Sequence, residues 1–226
     1  MDEETPPPAD EPPTRARVRA TYDEIADGFA ATREYAWPEV VEFVEDHPSP
    51  AATALDVGCG NGRHSELLAD HARRVVGVDA SRSLLALARE RAHERGWAAA
   101  FEAVAGDASR LPLADSCVDI AVYVATLHHL PTRELRVRSL RELGRVLAPD
   151  ARALVSAWST EHDRFDGHDS GFDTTVDWTL PDGETVGRFY HIYDPAEFDA
   201  DLERAGLTVE SSVVSSGNCY AAVRSE

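Results

Sequence analysis

Short apolar runs alternate with amphipathic stretches through the middle of the chain. The apolar runs predict strands at residues 53–57, 74–79, 101–105, 118–124 and 151–158. The stretches between them carry apolar residues at helical spacing and predict helices at residues 62–71, 81–95 and 132–147. Strands that alternate with helices favour a parallel sheet with helices on both faces. The pattern therefore predicts an α/β fold.

The segments on either side of this alternation differ from it. Residues 1–14 hold five prolines and several acids with little to bury, which predicts a disordered tail. Residues 15–47 predict a helical lid ahead of the first strand. Residues 159–190 are polar and predict a long insertion on the substrate side, because loops of that length in compact domains are often functional.

The end of the chain returns to regular structure. A helical stretch at residues 195–205 is followed by β-type runs at 208–214 and 219–223. We expect these two runs to form an antiparallel hairpin at the edge of the sheet. With 226 residues and 43% hydrophobic content, residues 15–226 are expected to form one domain with a sizeable core.

The amino-acid composition limits the cellular location and the kinds of site that we expect. No apolar run approaches the roughly 20 residues of a membrane span, and no signal peptide follows Met1, so we expect a cytoplasmic protein without a membrane partner. The three cysteines are scattered and form no CxxC pair, so neither a disulfide framework nor a metal site is expected.

The charge balance is strongly acidic. Asp and Glu number 41 against 22 basic residues, all of them arginine, for a formal net charge of −19. Such acidity argues against nucleic acid, but excess acid without lysine also resembles proteins of salt-loving archaea. In molar salt the Debye length is only about 3 Å, so net charge hardly acts at a distance. An RNA substrate therefore stays open.

A glycine-rich turn joins the first predicted strand to the first helix after it. Glycines at 58, 60 and 62 let a ligand approach the backbone, and the following helix directs free N–H groups at it. Asp79 ends the next strand 21 positions after Gly58, close to the spacing at which an acid meets ribose hydroxyls. This combination predicts a nucleoside cofactor.

The acid that starts this turn points to one kind of cofactor. Asp56 would be repelled by the pyrophosphate of a dinucleotide, but it suits a ligand that carries an ammonium group. S-adenosylmethionine carries an ammonium and a sulfonium and has no phosphate. We therefore expect S-adenosylmethionine as the cofactor.

Three motifs together resemble class I S-adenosylmethionine-dependent methyltransferases. They are Asp-Val-Gly-Cys-Gly-Asn-Gly from Asp56, Gly-Val-Asp-Ala-Ser around Asp79, and Gly-Asp-Ala around Asp107 with a Leu-Pro pair shortly after. The resemblance implies a Rossmann-like, mostly parallel seven-stranded sheet with a C-terminal antiparallel hairpin. It implies that Asp79 binds the ribose hydroxyls and that Asp107 accepts from the adenine amine. The cofactor set it implies is Asp56, Gly58, Gly60, Asn61, Asp79, Asp107 and Ala108.

Two adjacent histidines follow the fourth predicted strand, in Thr-Leu-His-His-Leu-Pro from Thr126. Ligands of open α/β sheets lie beyond the carboxyl ends of the strands, so this motif is placed to face the transferred methyl group. We choose His129 as the candidate. A structural alternative remains, in which one histidine packs under the sheet and the other caps the next helix.

A further group of residues resembles the tRNA wobble-uridine carboxymethyl methyltransferases, the family of yeast tRNA methyltransferase 9 and of the methyltransferase domain of AlkB homologue 8. It comprises Tyr-Asp-Glu-Ile-Ala from Tyr22, Thr-Arg at Arg33, Trp-Pro at Trp37, Ala-Trp-Ser around Trp158 and Arg-Phe-Tyr-His from Arg188. Three positions depart from the family pattern. Asp177 replaces a proline, Phe189 a tyrosine and Cys219 a tryptophan.

This resemblance implies methyl transfer to the carboxylate of 5-carboxymethyluridine in the tRNA anticodon loop, which forms a methyl ester. Such a carboxylate is already ionised at neutral pH and needs no general base. Arginine matches a carboxylate bidentately, so Arg33 and Arg188 are the expected clamps, with Tyr190 and His191 as further donors.

The family also implies a partner, a small zinc-binding activator subunit that covers an apolar edge of the methyltransferase. The matching edge here would involve the second and third strands. Its expected contacts are Val75, Val76, Val78, Phe101 and Val104.

Two other functions stay open at this point. A small-molecule methyltransferase, acting on a quinone or a fatty acid, would share the core and the paired histidines. A methyltransferase-like module that binds cofactor or a partner without transferring a methyl group is the other. The first alternative does not predict the segments around Arg33 and Arg188 together, and the intact acids Asp56, Asp79 and Asp107 argue against the second.

Overall fold

The computed structural model describes residues 13–48, 50–165 and 167–225. The part of the expected tail that spans residues 1–12 lies outside the described residues. The helices of the described ranges are α1 (Arg15–Glu24), α2 (Ala26–Ala31), α3 (Pro38–Glu45), α4 (Arg63–His71), α5 (Arg82–Glu94), α6 (Arg133–Val146) and α7 (Pro195–Arg204). Among these helices, none combines the length and the apolar character that crossing a bilayer requires.

The strands of the described ranges form one large sheet and one separate hairpin. They are β1 (Ala51–Val57), β2 (Ala72–Asp79), β3 (Phe101–Ala105), β4 (Val118–Val124), β5 (Leu147–Trp158), β6 (Phe172–Thr179), β7 (Thr185–Ile192), β8 (Leu207–Ser215) and β9 (Asn218–Ser225).

The large sheet has seven strands in the order β3-β2-β1-β4-β5-β9-β8. Strands β1 to β5 pair in parallel, while β9 pairs antiparallel with both β5 and β8. The order reverses between β1 and β4, which is where ligands bind in open α/β sheets. The predicted Rossmann-like architecture with a C-terminal antiparallel hairpin is confirmed.

The predicted core strands match the structure closely, but β1, β2 and β5 begin earlier than predicted. The residues just before these strands look like loop in the sequence. In the structure they pair with residues of the neighbouring strand, so the strands are longer than predicted. Ala51 pairs with Ala72, and Leu147 pairs with Val118. The strand ends that carry the site, at Val57, Asp79 and Val124, lie where the apolar pattern placed them.

The expectation of a loop-like insertion over residues 159–190 is corrected. Most of it forms the hairpin β6–β7, which turns at Gly183 in a left-handed conformation. Asp173, Thr175 and Asp177 lie on its exposed face, whereas Val176, Tyr190 and Ile192 pack on its other face with Phe165. Alternation of exposed polar and buried apolar residues is a strand pattern, although a weak one when the polar face dominates.

Two apolar layers hold the sheet, one on each face. Leu55, Val76 and Ala121 belong to one layer, together with Leu140 of α6 and Phe198 of α7. Their sequence neighbours Ala54, Val75 and Ile120 belong to the opposite layer, with Val40 of α3 and Leu68 of α4. Because successive residues of a strand face opposite sides, a run without polar residues is what a doubly covered sheet requires.

Side-chain caps fix where the helices near the site begin. Ser81 caps α5 through the N–H of Leu84, and Thr132 caps α6 through that of Leu135. Thr14 caps α1 in the same way, so the lid helix starts directly beside the last residue of the expected tail. A side-chain oxygen at this position satisfies an N–H group that the helix itself leaves free.

Candidate active site

A cavity of about 720 Å³ opens at the carboxyl ends of the parallel strands. Gly58 after β1, Asp79 at the end of β2, Gly106 after β3 and Thr126 after β4 all line it. Its outer wall comes from the lid helices α1 and α2. A volume of this size is typical of a site for a small organic ligand.

The glycine turn brings the backbone close to the cavity and to the residue that follows β4, the neighbouring strand in the sheet. Gly58 has a φ of +72°, and a Cβ on it would lie 2.2 Å from Oγ1 of Thr126, so another residue cannot replace it there without rearrangement. Gly60 also has a positive φ, but its Cβ direction is open, with Phe29 at 3.9 Å. A ligand can therefore lie against the backbone at Gly60.

Asp79 is the acid that this turn holds in place. Its Oδ2 accepts a hydrogen bond from the N–H of Gly60, and its Oδ1 accepts one from the N–H of Ser81, both at 2.8 Å. Burial raises the pKa of Asp79, while these N–H groups act against that rise. A carboxylate with two lone pairs still unused fits the two hydroxyls of a ribose, so the site suits an adenosine cofactor.

The place of Asp56 corrects a sequence expectation. Asp56 does not line the cavity and lies beneath the glycine turn, where its Oδ2 accepts a 2.7 Å hydrogen bond from the hydroxyl of Ser65. Burial raises the pKa of Asp56 to about 7. We therefore propose that Asp56 supports the turn and does not contact the ligand directly.

Asp107 and Ala108 line the cavity below the lid. Asp107 accepts hydrogen bonds from the N–H and the hydroxyl of Ser109, and it also forms an ion pair with Arg15 of α1. The lid helix therefore reaches the acid that is expected to meet the adenine amine.

Asn61 connects the glycine turn to the lid. Its side-chain amide donates to the carbonyl oxygens of Arg33 at 2.8 Å and of Ala30 at 3.3 Å. Asn61 also lines the cavity. Its amide N–H groups are committed to the lid, so Asn61 positions the segment that carries Arg33.

The two expected arginine clamps approach the site from different elements. Arg33 lines the cavity and stacks on Phe29, with its Cζ 3.6 Å from the ring centroid. Arg188 of β7 lies just behind the cavity wall and donates through Nη1 to the hydroxyl of Tyr190 at 2.7 Å. Among the described residues, no carboxylate forms an ion pair with either guanidinium.

His129 is held by hydrogen bonds on both ring nitrogens. Its Nδ1 lies 2.9 Å from the carbonyl oxygen of Phe189, which can only accept, so Nδ1 carries the proton. Its Nε2 then accepts from the hydroxyl of Tyr22 at 2.8 Å. Burial lowers the pKa of His129 to about 3. His129 is a neutral side chain that orients Tyr22.

His128 is a candidate that the sequence did not single out. Its Nδ1 accepts from the backbone N–H of Trp158 at 2.9 Å, so the neutral ring carries its proton on Nε2. That Nε2–H is buried and makes no hydrogen bond of ordinary geometry among the described residues, although the backbone of Ala125 lies near the ring and acts to raise its pKa; His128 lines the cavity. Adjacent histidines look alike in a sequence, and only the short turn after β4 distinguishes them.

His191 is removed from the expected set of substrate contacts. Alternation along β7 places Arg188 and Tyr190 on one face and His191 on the other. There its Nδ1 pairs with Asp173 at 2.7 Å and its Nε2 with Glu197 at 3.1 Å, and it does not line the cavity. His191 joins the hairpin to α7.

The described part of the chain contains no set of side chains arranged as metal ligands. Within it, no group of three or more histidine, cysteine or carboxylate side chains is arranged to hold an ion. The cavity instead combines a glycine turn, an acid that fits ribose hydroxyls and a wall of aromatic and arginine side chains.

Comparisons with known proteins agree with this geometry. Residues 55–155 match the family model described as a methyltransferase domain. A tRNA (carboxymethyluridine(34)-5-O)-methyltransferase of Mus musculus, ALKBH8, is 36% identical over 146 residues, which are 65% of this chain and 20% of that protein. The tRNA (carboxymethyluridine(34)-5-O)-methyltransferase of Saccharomyces cerevisiae is 32% identical over 167 residues, which are 73% of this chain and 57% of that protein.

A solved structure shares the fold at low sequence identity. It comes from a complex between the Haloferax volcanii Trm112 methyltransferase activator and a methyltransferase, with a TM-score of 0.69 and 17% identity. The match covers 92% of this chain and 97% of that chain.

The fold and the family match show that the chain contains a methyltransferase domain with the class I fold, which the family model covers over residues 55–155. Within this class the chain is similar to the tRNA (carboxymethyluridine(34)-5-O)-methyltransferases, so the resemblance in the sequence motifs is confirmed. The chain spans only part of those relatives, about a fifth of the mouse protein and 57% of the yeast one.

Proposed function

We propose that this protein transfers the methyl group of S-adenosylmethionine to the carboxylate of 5-carboxymethyluridine at the wobble position of tRNA, forming a methyl ester. One observation carries the proposal. The far wall of the cavity offers hydrogen-bond donors to an anion around His128 and Tyr190, and burial lowers the pKa of both of its histidines. The names of the similar relatives support the tRNA acceptor.

The donors gather around Tyr190. The buried Nε2–H of His128 makes no hydrogen bond of ordinary geometry among the described residues, and the rings of His128 and Tyr190 lie 5.0 Å apart. The hydroxyl of Tyr190 accepts from Arg188, so its own proton is available to donate either to the neighbouring hydroxyl of Tyr22 or to an acceptor in the cavity. Arg33 adds a guanidinium without an ionic partner among the described residues. An anionic oxygen is the group that such a wall binds best.

The histidines of this wall are poor general bases. The pKa of His129 lies at about 3, and its Nε2 already accepts from Tyr22. Burial lowers the pKa of His128 as well, and its free nitrogen carries a proton. A hydroxyl or amine nucleophile would have to lose a proton during methylation, whereas a carboxylate loses none. The site therefore favours a carboxylate acceptor.

The chain positions the two reacting groups. S-adenosylmethionine supplies a methyl group on a positively charged sulfonium. Asp79 and the backbone at Gly60 hold its adenosine part, with Asp107 near the base. His128 and Tyr190, supported by Arg188, orient the acceptor carboxylate in line with that methyl group.

A small activator subunit is proposed as a partner, as named for the complex of a similar fold. The edge strand β3 is available to it, with Phe101 and Val104 half-buried beside a shallow groove next to α5. The expected contacts at Val75, Val76 and Val78 are wrong, because β2 is an inner strand and these side chains are buried in the apolar layers on the two faces of the sheet. Zinc in the activator remains a prediction.

The reaction is tested with purified protein, with and without the activator, at low and at molar salt. The substrate is a tRNA that carries 5-carboxymethyluridine at the wobble position, and mass spectrometry of its nucleosides detects the ester. We expect a mass gain of one methylene on that nucleoside. A methylated quinone or fatty acid in cell extract, with the wobble nucleoside unchanged, would favour the small-molecule alternative.

Arg188→Ala tests the geometry of the acceptor site. We expect turnover to fall at least about a hundredfold, with the affinity for S-adenosylhomocysteine nearly unchanged, because Arg188 does not line the cofactor cavity. Arg138→Ala, on the exposed surface of α6, is the matched control. Equal losses of cofactor affinity and turnover would remove Arg188 from the acceptor site.

A further inference from the structure

Basic side chains outnumber acidic ones around the cavity, whereas acidic ones outnumber basic ones in the whole chain. The whole protein has 41 acids against 22 arginines. Among the described residues that line the cavity, the arginines outnumber the carboxylates, which are Asp79 and Asp107. The arginines are Arg15, Arg19, Arg33, Arg63 and Arg82. A cluster of one sign in a protein of the other sign indicates an anionic ligand larger than the acceptor carboxylate.

The two acids of the cavity do not neutralise this cluster. Asp79 forms no ion pair with an arginine and accepts from the N–H groups of Gly60 and Ser81 instead. Asp107 is paired with Arg15, which removes one arginine and one acid from the balance. Four arginines therefore remain unpaired around the opening.

These four lie at two depths. Arg33 and Arg63 are half-buried, and burial lowers the pKa of both, that of Arg63 to about 10. Aromatic rings support them, since the Cζ of Arg63 lies 4.6 Å from the ring centroid of Trp37. Arg19 and Arg82 are exposed at the rim, on α1 and at the first position of α5.

The rim arginines are free to bind. Neither Arg19 nor Arg82 forms an ion pair with any described carboxylate, although many other arginines of the chain do. Their two helices pack against each other, and both residues line the cavity. Exposed arginine without a partner is how proteins commonly contact phosphate.

We infer that Arg19 and Arg82 bind the phosphodiester backbone next to the target nucleotide, so that an RNA strand crosses the cavity opening over α1 and α5. The inference rests on the proposed function and adds the surface that receives the RNA. An enzyme that acts on a base turns its nucleotide into the pocket, which leaves the flanking phosphates at the rim. RNA loops are recognised in this splayed form.

Direct contact at the rim also explains how a protein with a net charge of −19 can bind RNA, which is itself negatively charged. At low salt the overall charge repels RNA over distances of about 10 Å or more, whereas in molar salt the Debye length shrinks to about 3 Å. Only charges that touch the phosphates then contribute. The few unpaired arginines beside the cavity are placed to make such contacts.

Charge reversal at the rim tests the inference. The variant Arg19→Glu with Arg82→Glu is compared with Arg73→Glu plus Arg138→Glu, which changes the net charge equally. Arg73 lies at the opposite end of β2 from the cavity, and Arg138 lies on α6; both are exposed. An unmodified tRNA transcript is the RNA probe, followed by fluorescence anisotropy across a salt series. Calorimetry with S-adenosylhomocysteine measures the cofactor site.

We expect the rim variant to lose about tenfold or more in RNA affinity, with a salt dependence shallower by about 1.4 in log–log slope for two lost phosphate contacts. The control variant should stay within about twofold of wild type, and cofactor affinity should change much less than RNA affinity. Equal RNA loss in the control, unchanged RNA binding by the rim variant, or an equal loss of cofactor affinity would each overturn the inference.

Methylation by the wild-type protein tests the proposed function independently of the RNA-binding surface. If wild-type protein forms the wobble methyl ester while the rim variant binds RNA normally, the surface is wrong and the function stands. If RNA binding depends on the rim but wild type forms no ester, the proposed function fails and the surface stands.

Discussion

The hydroxyl of Tyr22 lies 2.8 Å from Nε2 of His129 and donates a hydrogen bond to it. The direction follows from the other ring nitrogen, because Nδ1 must donate to the carbonyl oxygen of Phe189. With its proton turned towards His129, Tyr22 presents only lone pairs to the cavity that it lines. A residue of the lid, a residue after β4 and the backbone of β7 are thus joined in one chain of hydrogen bonds.

This chain predicts that His129 positions Tyr22 and does not act as a base. His129→Gln keeps an acceptor for the tyrosine hydroxyl, so we expect it to retain most of kcat, whereas His129→Ala should lose roughly tenfold and about 1–3 kcal/mol of stability. The wild-type kcat/KM should be flat between pH 6 and pH 9, because a pKa of about 3 lies outside that range. Steady-state kinetics across pH would contradict this if activity fell below pH 7 with a single protonation that the glutamine variant lacks.

His128 is predicted to donate from Nε2 to the acceptor carboxylate. His128→Asn keeps an acceptor for the N–H of Trp158 but removes the donor in the cavity. We expect kcat/KM for the RNA to fall about ten- to a hundredfold, as the loss of a hydrogen bond to a charged group costs about 1.5–3 kcal/mol. Unfolding in urea and binding of S-adenosylhomocysteine should stay near wild type. Wild-type kcat/KM in this variant would show that the Nε2–H serves no ligand.

The sequence predicts the sheet well and the acceptor wall less well, for physical reasons. A strand buried on both faces is a nearly continuous apolar run, so both ends of β4 match the prediction to the residue. The ends of the edge strand β3 match as well, although it is only half-buried. The hairpin β6–β7 has one polar face, and its alternation resembles a loop. Had β7 been recognised as a strand, alternation would have placed Arg188 and Tyr190 together and His191 on the opposite face. The choice between His128 and His129 depends on a short turn that the sequence does not specify.

His191 is predicted to stabilise the fold in a pH-dependent way. Burial opposes its charge, but Asp173 and Glu197 raise its pKa above the ordinary value. A histidine with a raised folded pKa contributes stability that is fully present below its unfolded pKa and is lost as pH rises through the folded value. His191→Gln should therefore cost more in the free energy of unfolding at pH 5.5, about 1–2 kcal/mol, than at pH 8.5. Urea titrations of both proteins measure the difference.

The exposed His93→Gln, at the end of α5, is the control for that comparison and should show little change at either pH. Arg136 also faces this cluster, with a 3.7 Å contact to Glu197, and it lowers the pKa of His191. If His191→Gln costs the same free energy at both pH values, the ion pairs contribute nothing and His191 acts through packing alone.

Asp56 is predicted to destabilise the fold once it ionises. Burial raises its pKa to about 7, against about 4 in an unfolded chain. The folded state therefore keeps a proton that the unfolded state has released between those values, and stability falls as pH rises through that window. Asp56→Asn cannot ionise and still accepts from the hydroxyl of Ser65 through its amide oxygen. We expect the variant to gain roughly 1–3 kcal/mol relative to wild type at pH 8, and less at pH 4.5.

Asp56→Asn also tests whether the charge of Asp56 contributes to the affinity for the ligand. Because Asp56 lies beneath the glycine turn and does not line the cavity, the affinity for S-adenosylhomocysteine should change by less than about threefold, roughly 0.6 kcal/mol. Calorimetry at pH 8, where the wild-type side chain is largely ionised, gives the most sensitive comparison. A tenfold or larger loss of affinity in the more stable variant would show that the negative charge acts on the ligand through the turn.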